Sequence, residues 1–252
     1  MPAVLFTRLL LIVILALRWD TPCFATTIVA IITRTHLFIG ADSMLTLLNS
    51  KGERQVGSIC KVHSVGSCYY AIAGIIAIKD KNIDFNEIAK SACLSPGSLT
   101  EKATFYQAKA LPAAKRLFTY DKSIPLIRGK GIAVLFAALE NGFPMFVSIE
   151  YNQDRERRII PSRQEVRGSD LSGTYGGVIV LGTREAIDRY RMAAPKTFQA
   201  GDAAIKVAHL LNLEAVNDQA KPVNQRLVRA PFSILELSIW GARWIMNGHC
   251  SG

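Results

Sequence analysis

The chain has 252 residues, half of them hydrophobic and 20% charged, with 18 glycines, 10 prolines and a formal net charge of +10. That length and balance suffice to bury a sizeable core, and they exclude a disordered chain, a collagen-like repeat and a small disulfide scaffold. The basic residues are scattered; the one dense stretch, Arg155 to Arg158, has no aromatic interleaving and reads as a solvated turn, so no nucleic-acid partner is expected.

The first segment has the three-part pattern of an export signal. Arg8 is followed by an unbroken apolar run from Leu9 to Leu17, then by the breakers Arg18, Trp19, Asp20 and Pro22, and by the tripeptide Cys23-Phe24-Ala25. A helix over that run would rise about 14 Å against a hydrocarbon core of about 30 Å, too little to span a bilayer. The expectation is a signal peptide over 1–25, cleavage after Ala25, and one domain over 26–252 in a periplasmic or extracellular compartment. The alternative is an uncleaved anchor that holds the protein at a membrane by residues 9–17.

Strands come next. Thr27 to Thr33 and Leu37 to Ala41 are apolar and β-branched and read as a hairpin. Met44 to Ser58 contains Asn49, Ser50 and Gly52 and reads as a loop. Ser58 to Val65 and Ser67 to Ala73 form a second hairpin, ending at Gly74. Asp84 to Ala92 has helical spacing, and Ser98 with Glu101 makes a capping box for a helix to Phe118 that Pro112 should kink or end. Ile132 to Leu139, the turn Asn141-Gly142 and Pro144 to Tyr151 are a third hairpin. Glu156 to Val166 and Tyr175 to Leu181 are expected to pair around a Gly/Ser-rich turn. Helices over Thr183 to Arg191 and Asp202 to Val216 follow, and then a strand over Phe232 to Ile239. Two strand blocks separated by helix pairs suggest an α+β fold with two sheets stacked face to face and helices outside.

Four cysteines remain after residue 25, and they allow three pairings. Cys60 with Cys68, flanking the turn at Val65-Gly66, is the expected bridge. The histidines and cysteines have no metal-ligand spacing, and no phosphate or dinucleotide fingerprint occurs, so neither metal nor cofactor is expected.

Cleavage after Ala25 leaves a threonine first in the chain. A threonine hydroxyl is a poor nucleophile, but an N-terminal threonine carries its own base: an α-amine with a pKa near 8. Such a residue needs a nearby cation to tune the amine, a carboxylate to hold the cation and backbone N–H groups for the oxyanion. The chain offers Thr26-Thr27, then Asp42-Ser43 at the end of the first hairpin, Lys61-Val62 at the third strand, and Ala73-Gly74 after the fourth.

This set resembles the proteasome β-subunit family and its bacterial peptidase relatives within the N-terminal-nucleophile hydrolases. The resemblance implies a four-layer αββα sandwich and a threonine-type peptidase or amidohydrolase. It implies Thr26 as nucleophile and base, Asp42 and Lys61 setting the charge state, and the Gly74 N–H as oxyanion donor. Gly182-Thr183 takes the place of the family's Gly-Ser at the start of the third helix, which makes Thr183 a further site residue. The family's late Asp-x-x-Ser-Gly is not recoverable. Asp170-Leu171-Ser172-Gly173 comes too early, and the later region offers only Asp218, Asn224 and Gln225. By the same resemblance the protein forms a homo-oligomeric ring; an exported member meets no ATPase partner and takes peptides or small amides. The competing reading is a non-catalytic structural or binding subunit of the same fold.

Overall fold

The computed structural model describes residues 26–48, 54–74, 76–78, 82–120, 132–154, 156, 158–172, 176–195, 202–222, 226, 228–248 and 250. The expected export signal, its apolar run and its cleavage tripeptide lie outside them, as do Asn224 and Gln225.

Thr27–Ile32 (β1) and His36–Asp42 (β2) form the first hairpin, with Ile28 opposite Ala41 and Ile32 opposite Leu37. Every residue of β1 is buried, because the strand is covered on both faces. Ile28, Ala30 and Ile32 join one apolar cluster and Val29 and Ile31 another, as the period of two along a strand requires. Met44–Leu48 (β3) pairs with Arg54–Ser58 (β4) as a separate two-stranded ribbon, so the expected loop over 44–58 is corrected. The stretches on either side of 49–53 pair with each other, Met44 opposite Ser58 and Leu48 opposite Arg54.

Val62–Val65 (β5) and Cys68–Ala73 (β6) form the next hairpin. Ala77–Ile78 (β7) and Ile83–Asp84 (β8) make a small ribbon leading into the helix Phe85–Leu94 (α1), which Asp84 caps by accepting the Glu87 N–H. The helix Leu99–Tyr120 (α2) opens on the expected capping box: Glu101 accepts the Ser98 N–H at 2.7 Å, and Ser98 Oγ accepts the Glu101 N–H at 3.3 Å. Pro112 does not end it. Tyr106 and Ala110 before the proline and Ala113, Ala114 and Leu117 after it are all buried in one cluster, which holds both halves to the sheet.

Ile132–Glu140 (β9) and Phe143–Gln153 (β10) are joined at Asn141-Gly142, both with positive φ, as the tight turn demands. Ile159–Arg167 (β11) pairs with β10, whereas Val178–Gly182 (β12) pairs with β1. The expected pairing of the Glu156 and Tyr175 segments is therefore wrong. The chain changes sheets between them, through a 3-10 turn at Gly168–Asp170. Glu185–Ala193 (α3) and Ala203–Gln219 (α4, capped by Asp202) follow, then Phe232–Ser238 (β13) and Gly241–Met246 (β14).

The result is two antiparallel five-stranded sheets, ordered β12-β1-β2-β13-β14 and β11-β10-β9-β6-β5. One apolar cluster is shared by both sheets; it includes Ile28, Leu37, Ala71, Leu135, Phe146 and Leu235. A second packs α1 and α2 on β6, β9 and β10, with Tyr106 edge-on to Phe136. A third packs α3 and α4 on β1 and β13. Helix α4 comes so close to β2 that a Cβ at Gly40 would lie 2.2 Å from Val207 Cγ1.

Cys60 is bonded to Cys250 and Cys68 to Cys93. The expected Cys60–Cys68 bridge fails on register. Cys68 sits opposite Val65, five residues from Cys60, a separation of about 16 Å along a strand, where a disulfide needs Cα atoms within about 7 Å.

Candidate active site

Thr26 lies just ahead of β1 and is 3% exposed. Its backbone is held against Thr183. The Thr26 carbonyl accepts the Thr183 N–H at 3.1 Å, and the Thr27 hydroxyl donates to the Thr183 carbonyl at 2.8 Å. These bonds extend the β1–β12 ladder beyond Thr27 and Gly182. Gly182 has φ +80°, and a Cβ there would lie 1.8 Å from the Thr26 carbonyl oxygen, so only glycine allows this approach.

Asp42 ends β2, fully buried, and is held by three donors. Its Oδ1 accepts the Thr27 N–H at 2.9 Å; its Oδ2 accepts the Met44 N–H at 3.0 Å and the Lys61 Nζ at 3.0 Å. Lys61, 2% exposed, donates from the same nitrogen to Thr26 Oγ1 at 2.6 Å. Thr26, Asp42 and Lys61 thus form one hydrogen-bonded cluster away from bulk water. Burial pushes the Lys61 amine below its ordinary value, against the attraction of Asp42. The same burial pushes the Asp42 carboxyl up, against Lys61 and the two amides.

Gly74 follows β6 with φ +95°. Its neighbour Ala73 is 3.0 Å from the position of a Cβ at Gly182, which places the end of β6 beside the backbone that abuts Thr26. Thr183 is fully buried, and its Oγ1 has no hydrogen-bond partner among the described residues; the same holds for Ser43 Oγ, next to Asp42. A buried hydroxyl without a partner is costly and points to a group that completes it.

Three contributors escaped the sequence reading of the site. The Thr27 N–H, the Thr27 hydroxyl and the Met44 N–H all fix the cluster, and only the doubling of Thr26-Thr27 hinted at the first two. Of the polar residues considered for the late motif, Asp218 and Asp170 lie among the described residues. Asp218 is buried on α4, where it accepts the Val228 N–H at 2.7 Å and pairs with Lys221. The residue after Val228, Arg229, accepts the Ser43 N–H at its carbonyl at 3.4 Å. Asp170 accepts from its neighbour Ser169 at the surface. Among the described residues no group of three or more His, Cys, Asp or Glu is placed to hold a metal ion.

No protein-family model matches the chain, and no curated protein matches it. Among solved structures it is similar to Anbu (ancestral beta-subunit) from Yersinia bercovieri, with 14% identity, a TM-score of 0.51 and 88% of each chain covered. At that identity the likeness is one of fold: the chain has a proteasome-like fold.

Proposed function

We propose that the protein is an exported threonine-nucleophile hydrolase of amide bonds in peptides or small amides, active once residues 1–25 are removed. One observation carries this reading: Lys61 Nζ lies 2.6 Å from Thr26 Oγ1 and 3.0 Å from Asp42 Oδ2, all three buried. A lysine ammonium there stabilises the alkoxide and lowers the pKa of a free α-amine on the same residue. The three apolar clusters support an αββα order of layers, and the likeness to a subunit named ancestral beta-subunit supports assembly into a homo-oligomeric ring.

In the reaction the Thr26 α-amine takes the proton from Oγ1, directly or through water, as the oxygen attacks the substrate carbonyl. The oxyanion is met by a backbone N–H, assigned to Gly74. The intermediate collapses when the ammonium returns its proton to the leaving nitrogen, so the C–N bond breaks and an ester to Thr26 remains. Water, deprotonated by the same amine, then cleaves the ester and releases the carboxylic acid. The unpartnered Thr183 hydroxyl is assigned to the α-amine, which it orients.

The test is the mass of the native mature chain together with turnover of Thr26→Ala. A chain beginning at Thr26 and a folded, inactive variant are expected; unchanged turnover in the variant would reject the assignment. A second reading, a non-catalytic subunit of the same fold or one anchored by residues 9–17, is favoured by the absence of a late Asp-x-x-Ser-Gly from the sequence. A native chain that retains residues ahead of Thr26 would support it.

A further inference from the structure

Lys61 lies in the connection between β4 and β5, and neither it nor Cys60 has a ladder partner. On one side the Ile59 N–H donates to the Ser43 carbonyl at 2.9 Å; on the other, Val62 opens β5 opposite Ala71. Between these two anchors Cys60 is bonded to Cys250, Cα atoms 4.6 Å apart and 190 residues away in sequence. The tail that carries Cys250 is itself seated on the site's own sheet. A Cβ at Gly248 would lie 2.8 Å from the Phe232 carbonyl oxygen, and Phe232 stands opposite Asp42 in the β2–β13 ladder. The contacts therefore close a ring: Asp42 to Phe232, to the tail, to Cys250–Cys60, to Lys61 and back to Asp42.

The disulfide is reachable from one side. A cavity of about 590 Å³ opens at the flank where β5 and β14, each the last strand of its sheet, come together. Cys60 lines it beside Val62, His63, Tyr70 and Trp244, with Glu87 and Lys90 of α1 also on its wall. Cys60 is half-buried, whereas Cys250 is 4% exposed. Cys68 and Cys93 are 2% and 5% exposed, and neither lines the cavity.

We propose that the Cys60–Cys250 disulfide is a positioning element for the Lys61 ammonium, and that a small-molecule thiol entering the flank cavity reduces it and switches the site off. This deepens the hydrolase reading and rests on it. The thiolate of the small molecule attacks Sγ of Cys60, the half of the disulfide whose residue lines the cavity. The Cys60–Cys250 bond breaks, and Cys250 leaves as a thiolate and takes a proton from water. A second thiol attacks the external sulfur of the mixed disulfide, which frees Cys60 and carries the two electrons away as the oxidised small-molecule disulfide. With the tie gone, the stretch between Ile59 and Val62 loses the constraint that aims Lys61 at Thr26.

The experiment uses the mature full-length chain and two readouts: the titration of Lys61 followed by NMR of its labelled Cε, and the rate at which a β-lactone probe acylates Thr26. In Cys60→Ser/Cys250→Ser, and in wild type treated with glutathione, Lys61 is expected to titrate closer to an ordinary lysine. Acylation should slow by at least about tenfold, the scale on which a small misplacement of a positioned group is felt. Cys68→Ser/Cys93→Ser should keep both wild-type values, which separates this tie from a general loss of cross-linking. Unchanged Lys61 titration in Cys60→Ser/Cys250→Ser overturns the proposal. If Thr26 is never acylated, the hydrolase reading fails, and the Lys61 titration still decides whether the disulfide positions it. Should that variant not fold, brief thiol treatment of folded wild type followed by alkylation decides access: Cys60 and Cys250 are expected to be trapped before Cys68 and Cys93, and the reverse order overturns the proposal.

Discussion

Lys61 and Thr26 set the behaviour expected at the scale of single residues. If a charged Lys61 depresses the Thr26 α-amine, Thr26 reactivity rises with pH through a value below the amine's ordinary pKa of about 8. Lys61→Met should then shift that limb upward and lower the maximal rate by on the order of 10²–10³, measured as acylation rate against pH. A limb that stays in place would separate the lysine from the amine. Lys61 also links stability to pH. Its folded pKa is lowered, so between that value and 10.5 the unfolded chain holds a proton that the folded chain has released. Stability therefore rises with pH across that window, and Lys61→Met should lack this part of the rise in urea midpoints. Asp42, raised by burial, acts in the opposite sense at the acid end: between 3.8 and its folded value the folded chain holds the extra proton, and stability falls as pH rises. Thr183→Val separates function from packing. It removes a buried hydroxyl that has no partner among the described residues, so the fold should be no less stable, while acylation of Thr26 slows by about tenfold if that hydroxyl orients the amine. Equal acylation rates would leave Thr183 a packing residue.

At the scale of elements, the site depends on how closely β12 approaches the start of β1. Gly182→Ala combines a left-handed φ, which alone costs about 1–3 kcal/mol, with a Cβ driven into the Thr26 carbonyl. It should lower the denaturant midpoint and the acylation rate together; a variant of full stability and rate would mean that β12 does not hold Thr26. Elements bounded by local chemistry were legible in the sequence: the Asn141-Gly142 hairpin, the Ser98/Glu101 capping box, and the helices opened by Asp84 and Asp202. Partnership across the sheets was not. Ile159–Arg167 folds back on the strand just before it, whereas nothing near Val178–Gly182 tells that it will cross to the other sheet and meet β1. The β3–β4 ribbon was hidden because Asn49, Ser50 and Gly52 signal a turn without revealing that both flanks pair. The grouping of Thr26, Asp42 and Lys61 was legible only through the resemblance carried by Thr26-Thr27, Asp42-Ser43 and Lys61-Val62: the β1–β2 hairpin brings Asp42 to the start of β1, but Lys61 arrives from the β4–β5 connection, which no local spacing reveals. The clamp from Thr27 and Met44 was not, since it is made by backbone N–H groups that every residue carries.

For the whole molecule, the two disulfides make different contributions. Cys68–Cys93 closes a loop of sequence separation 25 and ties α1 to β6 within one apolar cluster. Cys68→Ser/Cys93→Ser should cost about 3 kcal/mol in unfolding experiments and leave Thr26 reactivity in place. The long-range pairing of Cys60 with Cys250 was beyond a reading that weighed only the nearest turn, because it follows from where the tail crosses the first sheet. The fold as a whole is proteasome-like, with β1, β13 and most of β9 buried on both faces and the candidate site at the start of β1. The central claim is that the first residue of the mature chain is both nucleophile and base. Peptide mapping of the native mature protein after reaction with a β-lactone probe addresses it most directly: one ester adduct on Thr26 is expected, and absent from any form that keeps residues ahead of it. A chain whose mass begins at Thr26 yet carries no adduct there would contradict the account.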